Sequence, residues 1–308
     1  RTNLFGLLED AQAKLPETSP LSESLGGFIS GLKTLDKAWK TKLEKQNKGL
    51  SFRQNFEDSL LVYVYGKVKS GKSSLGNYMA WGHVNPTAEQ QEGNTALSYK
   101  SYDNTDAENG DAQHEAEKQG KFRVDATEAT SSIQSFRLPG LTWVDSPGLH
   151  SVRSQNGELA KEHADHADLI LYTMKSDAPG RASDLHEIRQ LVGKEKSIML
   201  LLTGSDKKQH GWDAVREEPT ELCVMKSRQG REMQQKFVRD ELQSSQIDAS
   251  DVDILSVSAR YAELHADNPA AIHDSGMGQL FARLHEISQA RGVRMKRAVP
   301  MTNFKNFL

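Results

Sequence analysis

Gly66-Lys67-Val68-Lys69-Ser70-Gly71-Lys72-Ser73 is the stretch on which the reading of this chain turns. The apolar run Leu60–Tyr65 precedes it and suits a buried strand, and Ser73–Trp81 after it suits a helix. The pattern is G-x-x-x-x-G-K-[ST] between strand and helix, the context in which a phosphate-cradling loop forms. Gly66 and Gly71 let the backbone turn so that successive N–H groups face anionic oxygens at a helix N-terminus. Lys72 can then set its ammonium between the β- and γ-phosphates of a nucleotide. The Ser73 hydroxyl can complete the coordination of a Mg²⁺ that keeps most of its waters. Lys67, Val68, Lys69 and Ser70 form the rest of the cradle, with Ser74 just beyond it.

Working downstream, Thr142-Trp143-Val144-Asp145-Ser146-Pro147-Gly148 reads as a strand ending in Asp-x-x-Gly. Asp145 would hold a Mg²⁺-bound water, and the Gly148 N–H would meet the γ-phosphate. Between the two motifs a threonine is needed that reaches both metal and γ-phosphate. Thr127 and Thr130 are the candidates, and Thr130 is preferred because it lies nearer the following strand.

A third element follows the apolar run Ile198–Leu202 as Thr203-Gly204-Ser205-Asp206. A carboxylate at Asp206 can accept from both guanine N1–H and the 2-amino group, whereas adenine offers neither donor. Sites built on such buried hydrogen bonds discriminate by about 10⁴ or more. Position 204, a lysine in the usual pattern, is glycine, which removes the stem that would pack along the base. Asp206 reads alternatively as the cap of a following helix. The strand Ile254–Val257 then runs into Ser258-Ala259-Arg260, a weak motif whose backbone would contact the guanine 6-oxo group.

Strands predicted at Leu60–Tyr65, Ile133–Leu138, Leu141–Val144, Leu169–Thr173, Ile198–Leu202 and Ile254–Val257 alternate with helices near Ser73–Trp81, Glu158–Ala167, Ala182–Val192, Arg231–Leu242 and Met277–Ala290. This alternation predicts an α/β fold, a mostly parallel central sheet flanked by helices. Only Pro139-Gly140 links Ile133–Leu138 to Leu141–Val144, so that pair must be an antiparallel hairpin. Upstream, Leu21, Leu25, Phe28, Ile29, Leu32, Leu35 and Trp39 recur at helical spacing, and Pro16 and Pro20 divide the region into a short and a long helix. The stretch Asn85–Val124 is polar and poor in aliphatic residues. It reads as a solvated excursion, or else as a switch region that orders with nucleotide.

The 308-residue chain has a formal net charge of −3, which argues against nucleic-acid binding by bulk positive charge. Its apolar runs are far shorter than the roughly 20 residues of a membrane-spanning helix. Its one cysteine, Cys223, has no partner for an internal disulfide and suits a reducing compartment.

In this order the motifs make residues from about Leu60 to Ala290 resemble the GTPase domain of large dynamin-like proteins, a bacterial member of the LeoA kind in particular. Gly71-Lys72-Ser73-Ser74, Asp145 to Gly148 and the threonine opening the base motif carry the resemblance. It implies GTP and GDP as ligands, Mg²⁺ as cofactor, self-association through paired G domains, and a cytoplasmic protein acting at the periphery of a lipid membrane. It also implies an N-terminal helical segment over 1–58, a GTPase domain over 59–275 with the excursion 85–124, and a C-terminal helical segment over 276–308. Two features depart from the family. Val68 and Lys69 stand where many relatives carry a polar residue and a monovalent-cation ligand, so Lys69 reads either as a side chain that points to solvent or as a built-in cation at the phosphates. Leu149 follows Gly148 where small GTPases carry a water-orienting glutamine, which leaves turnover slow or another residue responsible. A GTPase switch of the Era and TrmE type acting on ribosome or tRNA, or a nucleotide-binding module with little turnover, are the alternative readings.

Overall fold

The computed structural model describes residues 2–16, 19–54, 56, 59–92, 97–102, 118–124, 133–149, 154–213 and 218–307. The chain divides into two compact units, Arg1–Ser51 and Phe52–Asn306.

In the first unit the helix α1 (Thr2–Ala13) ends ahead of Pro16, and α2 (Pro20–Gln54) opens on Pro20, the short and the long helix expected from the two prolines. Lys33 of α2 pairs with Glu9 of α1. Of the predicted apolar stripe only Ile29 is buried, while Leu21, Phe28, Leu35 and Trp39 stand exposed.

The second unit is built on a seven-stranded sheet. In chain order its first strands and helices are β1 (Leu60–Gly66), α3 (Lys72–Trp81), α4 (Ala88–Gln91), β2 (Tyr99–Tyr102), β3 (Ile133–Leu138) and β4 (Leu141–Asp145). Then come α5 (Ser154–Ala164), β5 (Leu169–Lys175), α6 (Ala182–Gly193) and β6 (Ile198–Thr203). The remainder is β7 (Asp206–Asp213), β8 (Glu218–Met225), α7 (Arg228–Ser244), β9 (Asp253–Val257), α8 (Ala259–Leu264), α9 (Pro269–Asp274), α10 (Met277–Glu286), a π-helical turn Ile287–Arg291 and α11 (Gly292–Phe307).

Strand order is β2-β3-β4-β1-β5-β6-β9. Pairs β4–β1, β1–β5, β5–β6 and β6–β9 are parallel, and β2–β3 and β3–β4 antiparallel, the last being the hairpin that Pro139-Gly140 requires. Both faces of β1 are covered, which is why Leu60–Tyr65 reads as an unbroken apolar run. Leu61, Tyr63 and Tyr65 join one core cluster with Ile170, Tyr172, Leu200, Ile188 of α6 and Val238 of α7. Leu60, Val62 and Val64 join the other, with Leu75 of α3, Trp143, Leu201 and Leu280 of α10.

Two expectations are revised. The excursion 85–124 is not wholly solvated: it supplies edge strand β2, and Phe122 is fully buried. Asn77 of α3 holds that phenylalanine's backbone from both sides, accepting from Phe122 N at 2.7 Å and donating to Phe122 O at 2.8 Å. Asp206 caps no helix; it opens β7, which pairs with β8 in a separate two-stranded ribbon. Among the described residues no helix is long and apolar enough to cross a membrane.

Candidate nucleotide-binding site

The phosphate loop leaves the C-terminal end of β1, at the centre of the sheet, where ligands of open α/β sheets bind. Gly66 sits at φ +150°, and a Cβ there would lie 2.5 Å from Thr173 O, so only glycine fits the exit from the strand. Gly71 takes a left-handed φ of +86° as the N-cap of α3. The first α-helical bond is Leu75 N to Gly71 O, at 2.9 Å, so the N–H groups of the helix's first turn lie ahead of its own bonding ladder. Lys72 is buried, and its ammonium donates to Gly66 O at 3.1 Å and Lys67 O at 2.8 Å, within the loop's own curve. Burial lowers its pKa to about 8, against the opposing pull of the Asp145 charge. Lys69 is exposed at the crest, with a left-handed φ of +62°.

Around this loop the structure brings residues from four strand ends together. Ser73 Oγ donates to Asp145 Oδ2 at 2.7 Å. Asp145 is fully buried at the end of β4, and its other oxygen, Oδ1, has no hydrogen-bond partner. Burial raises the Asp145 pKa to about 6, and the Lys72 charge and the Ser73 bond oppose that rise. A buried carboxylate oxygen with nothing to accept from, next to a serine hydroxyl, fits a hydrated Mg²⁺ whose water would donate to it. The donor set is too small to hold a metal alone: among the described residues no cluster of three or more His, Cys, Asp or Glu side chains exists. Phosphate oxygens would supply the remaining ligands, as Mg²⁺ commonly takes them.

The Asp-x-x-Gly segment is stitched to the loop. Leu149 N donates to Gly66 O at 3.0 Å and Val68 N to Leu149 O at 3.4 Å. Gly148 is packed so closely that a Cβ would fall 2.8 Å from Val68 N. Leu149 is buried, so the position that carries glutamine in small GTPases holds a core side chain here. Thr127 and Thr130, the candidates for the threonine that contacts the metal, lie outside the described residues.

On the base side, the Thr203 hydroxyl donates to Ser70 O at 2.7 Å and so ties the end of β6 to the phosphate loop. Asp206 is half-buried and accepts from Ser258 Oγ at 2.7 Å and Cys223 Sγ at 3.3 Å. Ser258 also caps α8, accepting from Tyr261 N at 3.0 Å, with Ala259 as the first helical residue. The third and fourth motifs therefore converge, 52 residues apart in sequence. Burial, the bond to Asp206 and its charge push the Cys223 thiol up to about 11.

Sequence patterns missed the supports of this site. Lys67 Nζ pairs with buried Asp184 of α6 at 2.9 Å, and Tyr172 Oη donates to the same carboxylate at 3.0 Å. Ser70 Oγ and Thr173 Oγ1 share a hydrogen bond at 2.6 Å. Cys223 at Asp206 was equally invisible, because β8 has no alternating apolar pattern that would have called for a strand. The only local signal for Asp184 is its place in the first turn of a helix, which acidic residues favour for other reasons.

A model of the Dynamin family matches residues 62–204, the stretch that holds the phosphate loop, the Asp145 strand and the approach to the base motif. An uncharacterized protein of Acinetobacter baylyi is 26% identical over 304 residues, 95% of this chain and 55% of its own length. The chain thus spans about half the length of the curated relative it matches. Among solved structures, one of an oligomerised bacterial dynamin pair, described as sensing and tethering membranes at long range, is similar at 18% identity with a TM-score of 0.47, over 100% of this chain and 47% of that one. Toc33 from Arabidopsis thaliana in complex with GDP and Mg²⁺ is similar at 15% identity with a TM-score of 0.41, over 82% of this chain and 93% of that one. The match to the Dynamin family model thus lies on the residues that build the site.

Proposed function

We propose that this domain binds GTP with Mg²⁺, hydrolyses it to GDP and phosphate, and couples the cycle to pairing of G domains and to association with a lipid membrane. The observation that carries the reading is the meeting of Lys72, Ser73 and Asp145 at the head of β1 and β4. Lys72 leaves its two carbonyl partners to lie against the β- and γ-phosphates, where a fixed cation stabilises charge that grows in the transition state. The N–H groups of Lys72, Ser73 and Ser74 donate to the phosphate oxygens, and those of Gly71 and Lys69 complete the nest. Ser73 and, through a water, Asp145 hold the metal, which when bound neutralises phosphate charge. Asp206 turns its carboxylate to guanine N1–H and the 2-amino group in exchange for Ser258 and Cys223. The backbone at Ser258 and Ala259 meets the 6-oxo group. Thr130 is the proposed switch threonine, and Lys69 the proposed cation opposite the departing γ-phosphoryl group.

The buried Leu149 favours a second, narrower reading: tight nucleotide binding with slow turnover, since no side chain at that position can orient water. Phosphate release from GTP and from ATP, in wild type and Lys72→Ala, tests the core of the proposal. Turnover of GTP that survives Lys72→Ala would sink the loop assignment. Equal affinity for GTP and ATP would reduce the site to a generic P-loop nucleotidase. Co-sedimentation with anionic vesicles, with and without a non-hydrolysable GTP analogue, tests the membrane part, and RNA retention in the same format tests the switch alternative.

A further inference from the structure

The base side of the site has a gap at position 204. Gly204 has no side chain to lay along a purine, and its φ of +62° disfavours any residue that would have one. A Cβ built there would meet a single atom within 4 Å, Lys175 Nζ at 3.9 Å. Lys175 is the last residue of β5 and pairs with Thr203 at the end of β6. The parallel register thus delivers one lysine side chain to the spot from which the missing one would project.

A second lysine lies nearby but is committed elsewhere. Lys226 Nζ donates to Ser176 Oγ at 2.8 Å and pairs with Asp177 at 2.6 Å, while Ser176 Oγ donates to Gly204 O at 2.5 Å. These bonds fix the backbone of the 203–206 turn. Lys175, in contrast, is exposed and forms no ion pair among the described residues. Its four-carbon stem is free to cover an apolar ring while the ammonium stays in water.

We infer that Lys175 covers the face of the bound purine, so that a residue of β5 does what position 204 does in the usual motif. The inference rests on the proposal that this site binds a guanine nucleotide. A contact with the ring face is made to every purine, so Lys175 adds affinity without choosing guanine, and the choice stays with Asp206. A stem that buries roughly two methylenes against the ring contributes about tenfold in affinity.

The test is a competition titration on the whole chain, with fluorescent GDP as reporter and GDP, IDP and inorganic pyrophosphate as competitors, all with Mg²⁺. Lys175→Ala should weaken GDP and IDP by about tenfold each and leave pyrophosphate unchanged. Lys175→Met, which keeps the stem, should fall within about threefold of wild type. GDP binding by Lys175→Ala at wild-type strength, or a loss that extends equally to pyrophosphate, overturns the inference. Wild type that gives up fluorescent GDP as readily to added ADP as to GDP overturns the guanine reading beneath it, a result distinct from either.

Discussion

Ser73 and Asp145, 72 residues apart, share a 2.7 Å hydrogen bond that joins the first turn of α3 to the end of β4. It engages one carboxylate oxygen and leaves the other, buried Asp145 Oδ1, with no partner. A buried oxygen in that condition destabilises the free protein, so a ligand that donated to it would be felt in both stability and titration.

Below a pH of about 6 the Asp145 carboxyl holds a proton in the free protein. It must lose that proton to accept from a metal-bound water, so binding of Mg²⁺·GDP releases a proton there. Affinity should climb by up to about tenfold per pH unit toward 6 and level off above it. Calorimetry across pH 5–8 checks this, with Asp145→Asn removing the protein's share and leaving only the titration of the nucleotide. Because the raised pKa means that the ionised carboxylate is disfavoured in the fold, Asp145→Asn should stabilise the nucleotide-free protein at pH 7.5 by about 1–3 kcal/mol. An unchanged or lower melting temperature would contradict the assigned burial penalty.

Gly148→Ala should break the stitch between the Asp-x-x-Gly segment and the phosphate loop. Its Cβ would fall 2.5 Å from Val68 Cγ2 and 2.8 Å from Val68 N, and backbone cannot yield as a flexible side chain does. The expected loss is about 1–3 kcal/mol of stability, with weaker GTP binding. Denaturant titration measures the first quantity.

Arg53 lies near the end of α2 and donates to Asp168 Oδ1 at 2.7 Å, His166 O at 2.7 Å and Lys296 O of α11 at 2.8 Å. Asp168 in turn accepts from Leu61 N at 2.9 Å, at the start of β1. Arg53→Ala leaves a buried carboxylate without its cation and should cost about 3 kcal/mol or more. Arg53→Lys should recover only part, because one ammonium cannot reproduce a fork that spans three acceptors. A double-mutant cycle with Asp168→Asn gives the coupling, and a coupling near zero would dismiss the pair as structural support.

Asp206→Asn should cut the preference for GTP over ATP by tenfold or more, since an amide presents one donor where guanine needs two acceptances. It should also speed alkylation of Cys223, because two of the causes that hold the thiol near 11 come from Asp206. In wild type at pH 7.5 the thiol should react slowly, with a rate that keeps rising toward pH 11. Fast alkylation at neutral pH would refute the contact.

Lys69→Gly suits the left-handed backbone at +62° and removes the side chain with its charge without straining the turn. If that charge serves the phosphates, turnover should fall by about tenfold or more with stability unchanged, and wild type should be indifferent to exchange of K⁺ for Na⁺. Strong activation of wild type by K⁺, or a fully active Lys69→Gly, would end the idea.

What the sequence determined by itself was local. The loop Gly66–Ser73 is legible because two glycines, a lysine and a serine at fixed spacing make a turn and a helix start that need no distant partner. The strands Leu60–Gly66 and Ile198–Thr203 are legible because burial on both faces demands continuous apolar runs. The hairpin β3–β4 follows from chain geometry, since two residues cannot span a parallel crossover. The ribbon β7–β8 was missed because Asp206–Asp213 is mostly polar: a two-stranded ribbon standing apart from the main sheet needs no buried face to announce it. Only the tertiary structure decided that Phe122 fills the core from within a polar stretch, that Thr203 braces Ser70, that Cys223 sits on Asp206, and that Lys175 stands beside Gly204. Those pairings are set by the register of parallel strands and by side chains crossing between elements far apart in the chain, and a parallel crossover erases from the local sequence any trace of which neighbour it will meet.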